Sequence, residues 1–95
     1  MSPLIHRYLD HAVLVPQMPR QEAEEWIRCG IQYKVKTVCV RPCDIDLAVS
    51  LCKGTETGVC CGLGFPHGCV CTESKVAAAK LYCEKGVSEI DMVAN

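Results

Sequence analysis

Apolar residues along this chain come in short runs that end at turn formers, and each run is followed by a stretch whose apolar positions recur at helical spacing. Residues 8–15 form the first run, closed by Pro16. Residues 20–32 then read as a helix. Ala23, Trp26, Ile27 and Ile31 fall on one face, and Glu22, Glu24 and Glu25 put negative charge in the first turns, where the helix dipole favours it. A second run at 37–41 stops at Pro42, and Asp44 is placed to cap a helix over 45–53 that Gly54 ends. The third run, 59–63, passes into the turn-rich segment Gly64, Phe65, Pro66, His67 and Gly68. Thr72 is then placed to cap a helix over 72–85, before Gly86. Residues 89–94 make the fourth run. Runs that are apolar throughout belong to strands buried on both faces, the mark of a parallel sheet with helical crossovers.

The spacing of these units sets the architecture. From Asp10 in the first strand to Asp91 in the fourth is 81 residues over three units, or 27 per unit. Eight such units give about 216 residues, inside the range of a (β/α)8 barrel. The predicted fold is therefore α/β: the first four βα units, half of a (β/α)8 TIM barrel with parallel strands, in a single domain over 1–95. A doubly wound nucleotide-binding sheet is the competing architecture, but it needs G-x-G-x-x-G, and after Gly62 and Gly64 the third glycine position holds His67.

Composition narrows the partners. Ten basic against eleven acidic side chains leave a net charge of −1, with no run of Lys or Arg. The electrostatic footprint that nucleic acid or an anionic membrane requires is missing. Nine cysteines in 95 residues reach the density of a secreted disulfide scaffold. The amino-terminal stretch M-S-P-L-I-H-R, followed by Asp10, has neither a signal-peptide core nor a membrane-spanning run, so a cytoplasmic location with reduced thiols is expected. The cysteine count is odd, Cys60 and Cys61 are adjacent, and several others sit in V-C-V, V-C-C and L-Y-C runs, which makes most of them small buried hydrophobes. His67, Cys69 and Cys71 raise the question of zinc. Their spacing lacks the paired C-x-x-C knuckles of structural sites, and no metal is expected.

Two aspartates, Asp10 in Y-L-D-H-A-V-L-V-P and Asp91 in E-I-D-M-V-A-N, stand inside strands where an apolar residue would fit. Each is costly to bury unpaired, so each is either hydrogen-bonded for structure or kept for chemistry. Asp91 lies late in its strand, toward the carboxyl-terminal rim where barrel active sites assemble, and a carboxylate there can relay protons. Cys39, in T-V-C-V-R-P, has no assignable base. It reads better as a small side chain that leaves room for a ligand or packs in the core than as a nucleophile. Arg41, at a strand end, either meets an anion or faces solvent, and a single loop histidine such as His67 is ordinarily solvated. None of the six lysines, at 34, 36, 53, 75, 80 and 85, falls in an apolar strand interior, where desolvation would make its amine nucleophilic.

Four segments in order, L-D-H-A-V-L-V-P at 9–16, V-C-V-R-P at 38–42, G-F-P-H-G at 64–68 and G-V-S-E-I-D-M-V-A-N at 86–95, resemble the first four strand regions of the deoxyribose-phosphate aldolase family. The resemblance spans almost the whole chain and implies a class I aldolase on a (β/α)8 barrel. Such an enzyme reversibly cleaves 2-deoxy-D-ribose 5-phosphate to acetaldehyde and D-glyceraldehyde 3-phosphate, with no metal or cofactor. In that family a sixth-strand lysine forms an imine, while a fourth-strand aspartate and a seventh-strand lysine move protons. The aspartate corresponds to Asp91, and the substrate-lining aspartate and cysteine of the first two strands correspond to Asp10 and Cys39. The family's threonine two residues after the first aspartate is Ala12 here, so one substrate hydrogen bond is lost. Both lysines would fall beyond Asn95, and the resemblance therefore implies that the 95-residue chain is inactive by itself. The implied partners are a phosphorylated sugar and aldehydes. The competing readings are a non-catalytic half-barrel that pairs as a homodimer through the edges of strands one and four, and a cysteine-rich metal-binding protein.

Overall fold

The alternation read from the sequence is the alternation of the chain. A computed structural model describes residues 4–95; the first three residues of the amino-terminal stretch discussed above lie outside it. Strand β1 (Asp10–Val13) leads to helix α1 (Arg20–Gln32), β2 (Thr37–Val40) to α2 (Ile45–Cys52), and β3 (Gly58–Leu63) to α3 (Thr72–Glu84), before β4 (Glu89–Met92). The four strands form one sheet in the order β1-β2-β3-β4, every pair parallel, with Asp10 opposite Thr37, Cys39 opposite Cys60, and Gly62 opposite Asp91. This is the arrangement of half a barrel, with each helix serving as the crossover between neighbouring parallel strands.

Side-chain alternation gives the sheet two unlike faces. Val13, Val38, Val40, Val59, Cys61 and Leu63 share one face, and they form a single core with Ala23 and Ile27 of α1, Ile45, Ala48 and Cys52 of α2, and Tyr82 of α3. The helices thus cover only this face. The register puts Asp10, Ala12, Thr37, Cys39, Cys60, Gly62, Glu89 and Asp91 on the other. Central strands β2 and β3 are buried almost throughout, as their unbroken apolar runs require, whereas β1 and β4, each with one neighbour, are half exposed. Helix α1 approaches closely enough that a Cβ on Gly30 would come within 2.6 Å of Val38 Cγ1, which is why this helix carries a glycine in its interior. No helix among the described residues is long and apolar enough to cross a membrane.

Four local expectations need correction. The first strand is shorter than 8–15: Ile5–Tyr8 form a 3-10 turn, and Tyr8 is 79% exposed. Its aromatic β-propensity has nothing to pack on there. Trp26 was placed on the buried face of α1 but is 44% exposed, stacked at a tilt on His11, while Gly30 takes the inner position. Asp44 and Thr72 do not cap by their side chains. Asp44 instead pairs with Arg41, and Cys71 stands at the start of α3, its Sγ 3.2 Å from Ser74 Oγ.

The expectation that most cysteines are buried holds only for those in the central strands and α2, and fails for Cys83 of the L-Y-C run, which lies on the outer side of α3. Cys39, Cys52, Cys60 and Cys61 are buried, Cys29 is intermediate, and Cys43, Cys69, Cys71 and Cys83 are exposed, all as free thiols. Burial pushes the Cys52 thiol up to about 11 and the Cys61 thiol up to about 12, because a buried thiolate loses its hydration. Cys71 is shifted the other way by its hydrogen bond to Ser74. Native alkylation at pH 8 is therefore expected to label Cys71 first and the other exposed thiols after it. Cys39, Cys52, Cys60 and Cys61 should be labelled only when denaturant is added, as peptide mapping by mass spectrometry would show.

Candidate active site

Asp10, Cys39 and Asp91 come from three different strands, and the register brings all three to the face that the helices leave free. They lie at successive levels. Asp10 is in the lowest row, beside Thr37; Cys39 is in the row of Ala12, Cys60 and Glu89; Asp91 is one row nearer the carboxyl-terminal ends. Thr37 Oγ1 donates to Asp10 Oδ1 at 2.6 Å, which fixes the carboxylate of the first strand without neutralising it. Cys39 is only 5% exposed. Its thiol is pushed up by burial first and then by the carboxylates of Asp91, Asp10 and Glu89, so it is held protonated and is no nucleophile. The small-residue reading of Cys39 fits this environment.

Asp91 is exposed, and the position beside it in the sheet is Gly62. Gly62 lets Phe65 pack back over the strand: a Cβ there would stand only 3.2 Å from Phe65 Cβ. A groove of about 480 Å³ opens at the carboxyl-terminal ends of β1 to β3, with Leu14, Pro16, Arg41, Gly62, Phe65 and Pro66 among its walls. This is the end of a parallel α/β array at which ligands bind. The loop after β3 reaches back to the end of β4: Gly68, at φ +71°, leaves no room for a Cβ against the Ala94 carbonyl, and Lys75 Nζ donates to Val93 O at 3.0 Å. Both contacts fix the chain just past Asp91.

Arg41 neither meets a free anion nor faces solvent. Its Nε donates to Asp44 Oδ2 at 2.7 Å, and one terminal nitrogen donates to the carbonyls of Val15, Pro16 and Met18. Nε and one terminal nitrogen are thus engaged by the fold. His67 is exposed in its loop. All six lysines lie outside the strands, and none is buried.

Glu89 and Cys60 were missed from the sequence, although a period-two reading finds them. Glu89 stands two residues before Asp91 and Cys60 two before Gly62, so each shares its strand neighbour's face. Glu89 also receives Lys36 Nζ at 3.1 Å.

No family model matches the chain. Individual proteins do. It is 38% identical over 91 residues to the deoxyribose-phosphate aldolase of Thermoanaerobacter sp. (strain X514), and 40% identical over 91 residues to that of Natranaerobius thermophilus, in each case over 96% of this chain and 41% of the relative. A solved chain from Coccidioides immitis, described as a deoxyribose-phosphate aldolase, superposes with a TM-score of 0.92 at 36% identity, over 97% of this chain and 36% of that one. The chain thus spans about two fifths of the length of the curated relatives it matches. Matched in sequence over nearly all its residues and in fold over the same span, the chain belongs to the deoxyribose-phosphate aldolase family and corresponds to its amino-terminal part.

Proposed function

We propose that residues 1–95 are the strand-one-to-four portion of an aldolase barrel that cleaves 2-deoxy-D-ribose 5-phosphate to acetaldehyde and D-glyceraldehyde 3-phosphate through a lysine imine. In this reading Asp91 relays protons at the reacting carbon, and Asp10 and Cys39 line the substrate cavity. The observation that carries it is the shared face: the three residues singled out for chemistry all stand on the side of the sheet that the helices leave open, with Asp91 nearest the carboxyl-terminal rim. A proton-relaying carboxylate needs contact with water or substrate, and Asp91 is exposed. Cys39 contributes a small protonated side chain that takes little cavity volume. A cytoplasmic setting belongs to this reading, since it keeps the nine thiols reduced.

The electrophilic step needs an amine on the same face, and no lysine of this chain is there. Lys36 comes nearest, at the amino-terminal end of β2, and it is held by Glu89 with more than half its side chain exposed. The chain alone is accordingly expected to form no imine. Incubation with acetaldehyde or deoxyribose 5-phosphate followed by borohydride should leave every lysine unmodified by mass spectrometry. A specific adduct on one lysine would overturn the assignment of the amine to another part of the barrel. In the alternative, two copies joined through the edges of β1 and β4, the open faces would look into one interior and set Asp10, Glu89 and Asp91 of each copy toward like charges, which weighs against it.

A further inference from the structure

On the open face, one and two rows below Asp91, three metal-ligating groups converge from three strands. The donor atoms of Asp10, Cys60 and Glu89 all lie within 4.8 Å of one another. The geometry points to a binding site for a borderline divalent cation of the zinc class at Asp10, Cys60 and Glu89, linking β1 to β3 and β4, sharing Asp10 with the proposed substrate cavity and requiring no residue of the His67, Cys69 and Cys71 loop.

The donor set selects the ion. One thiolate with two carboxylates suits Zn2+ or Cd2+, whereas Mg2+ and Ca2+ take oxygen ligands and gain nothing from sulfur. Three protein ligands leave a fourth position open toward the unfilled side of the sheet. In a four-coordinate zinc site with bonds of roughly 2.0 to 2.3 Å, the ligand atoms stand about 3.3 to 3.8 Å apart. The three groups therefore have to draw in by about 1 Å, a movement within reach of the exposed Asp10 and half-buried Glu89 side chains.

The surroundings behave as an outer shell. Thr37 Oγ1 holds one oxygen of Asp10 and Lys36 Nζ holds one oxygen of Glu89, orienting each carboxylate and leaving its other oxygen free. Charge closes as well: a divalent ion together with the Lys36 ammonium balances two carboxylates and one thiolate. Without the ion the Cys60 thiol is held protonated, by burial first and then by the adjoining Cys39 thiol and the carboxylates of Asp10 and Glu89. Binding therefore releases the Cys60 proton to solvent as the metal-sulfur bond forms.

The test uses the full chain with its exposed thiols Cys43, Cys69, Cys71 and Cys83 replaced by serine, reduced and stripped with a chelator. Cd2+ is titrated in while the thiolate-to-metal charge-transfer band is followed in the ultraviolet, and Zn2+ and Mg2+ are then added as competitors. One equivalent of Cd2+ should bind, Zn2+ should displace it and millimolar Mg2+ should not. Cys60→Ser should abolish the band, and Asp10→Asn and Glu89→Gln should each weaken binding at least tenfold with an unchanged far-ultraviolet circular dichroism spectrum. Asp10 is exposed, so its variant tests the site even if Cys60→Ser fails to fold. A band that survives Cys60→Ser in a folded chain, affinity unmoved by Asp10→Asn, or no stoichiometric binding would each overturn the proposal.

Discussion

Replacing Asp91 by asparagine is expected to lower aldolase turnover by two to three orders of magnitude, measured in a chimera in which residues 1–95 replace the matching part of the Thermoanaerobacter enzyme. Asparagine keeps the shape of the side chain and its capacity for hydrogen bonds, but it can neither accept nor return a proton. General acid-base groups contribute on the order of 10²- to 10⁴-fold, which sets the size of the loss. Asp91 is exposed, so the isosteric amide should leave the fold unaffected. The defect should fall on kcat with KM little changed, because a proton relay acts in the transition state and not in ground-state binding. Asp10→Asn should show the opposite division, a raised KM with a smaller change in kcat, since Asp10 is assigned to the cavity wall. If Asp91→Asn retained more than a tenth of the parent kcat, the relay would have to be reassigned, with Glu89 on the same face the next residue to examine.

Much of this arrangement could be read from the chain because helix-forming periodicity and unbroken apolar runs report burial directly. The span of α1 agrees with its expected 20–32, and β2, β3, α2 and α3 agree to within a residue at either end. The strands among these are packed on both sides and α1 carries a clear apolar stripe, whereas α3, which buries only Tyr82, was bounded by its flanking turn signals. The edges behaved differently. At Tyr8 the chain turns instead of extending, and at Trp26 a large apolar residue is left outside, because in each case the outcome depends on what else is close enough to pack against it. Site residues followed the same division. Asp10 and Asp91 drew attention as charges inside apolar runs. Glu89 did not, because it begins its strand and looks like any polar boundary residue. Arg41 could not be interpreted at all without the loop it binds, since the carbonyls of Val15, Pro16 and Met18 carry no side-chain signal. The groove at the strand ends is similarly a product of backbone path, set by loops whose sequences announce only that they turn.

Arg41 gives the other large effect: Arg41→Ala is expected to destabilise the chain by about 3 to 5 kcal/mol, the usual consequence of removing one partner of a buried ion pair. Asp44 is 2% exposed and Arg41 14%, so the pair sits away from the solvent that makes most surface bridges worth little. The Asp44 carboxylate raises the guanidinium still further above its ordinary pKa, and the arginine stays charged at any pH the fold survives. Alanine would leave the Asp44 charge buried without its partner and would also release three carbonyls of the segment that joins β1 to α1. A domain of this size has roughly 5 to 14 kcal/mol of total stability, so the loss is about a fifth of it or more. Urea denaturation should show a lowered midpoint with an unchanged slope. Arg41→Lys should recover only part of the difference, because an ammonium can reach Asp44 but lacks the planar fork that serves the carboxylate and the carbonyls together. Replacing both members, as in Arg41→Met with Asp44→Leu, should cost less than Arg41→Ala alone, since no charge is then stranded. A loss below about 1 kcal/mol for Arg41→Ala would instead mean that water reaches Asp44 and screens it as at an open surface. The clamp also bears on the proposed active site. Arg41 and Pro16 are both walls of the groove at the strand ends, so the residue that holds the first loop to the second strand also fixes the width of that mouth. Its charge is therefore a structural element of the proposed substrate end of the barrel.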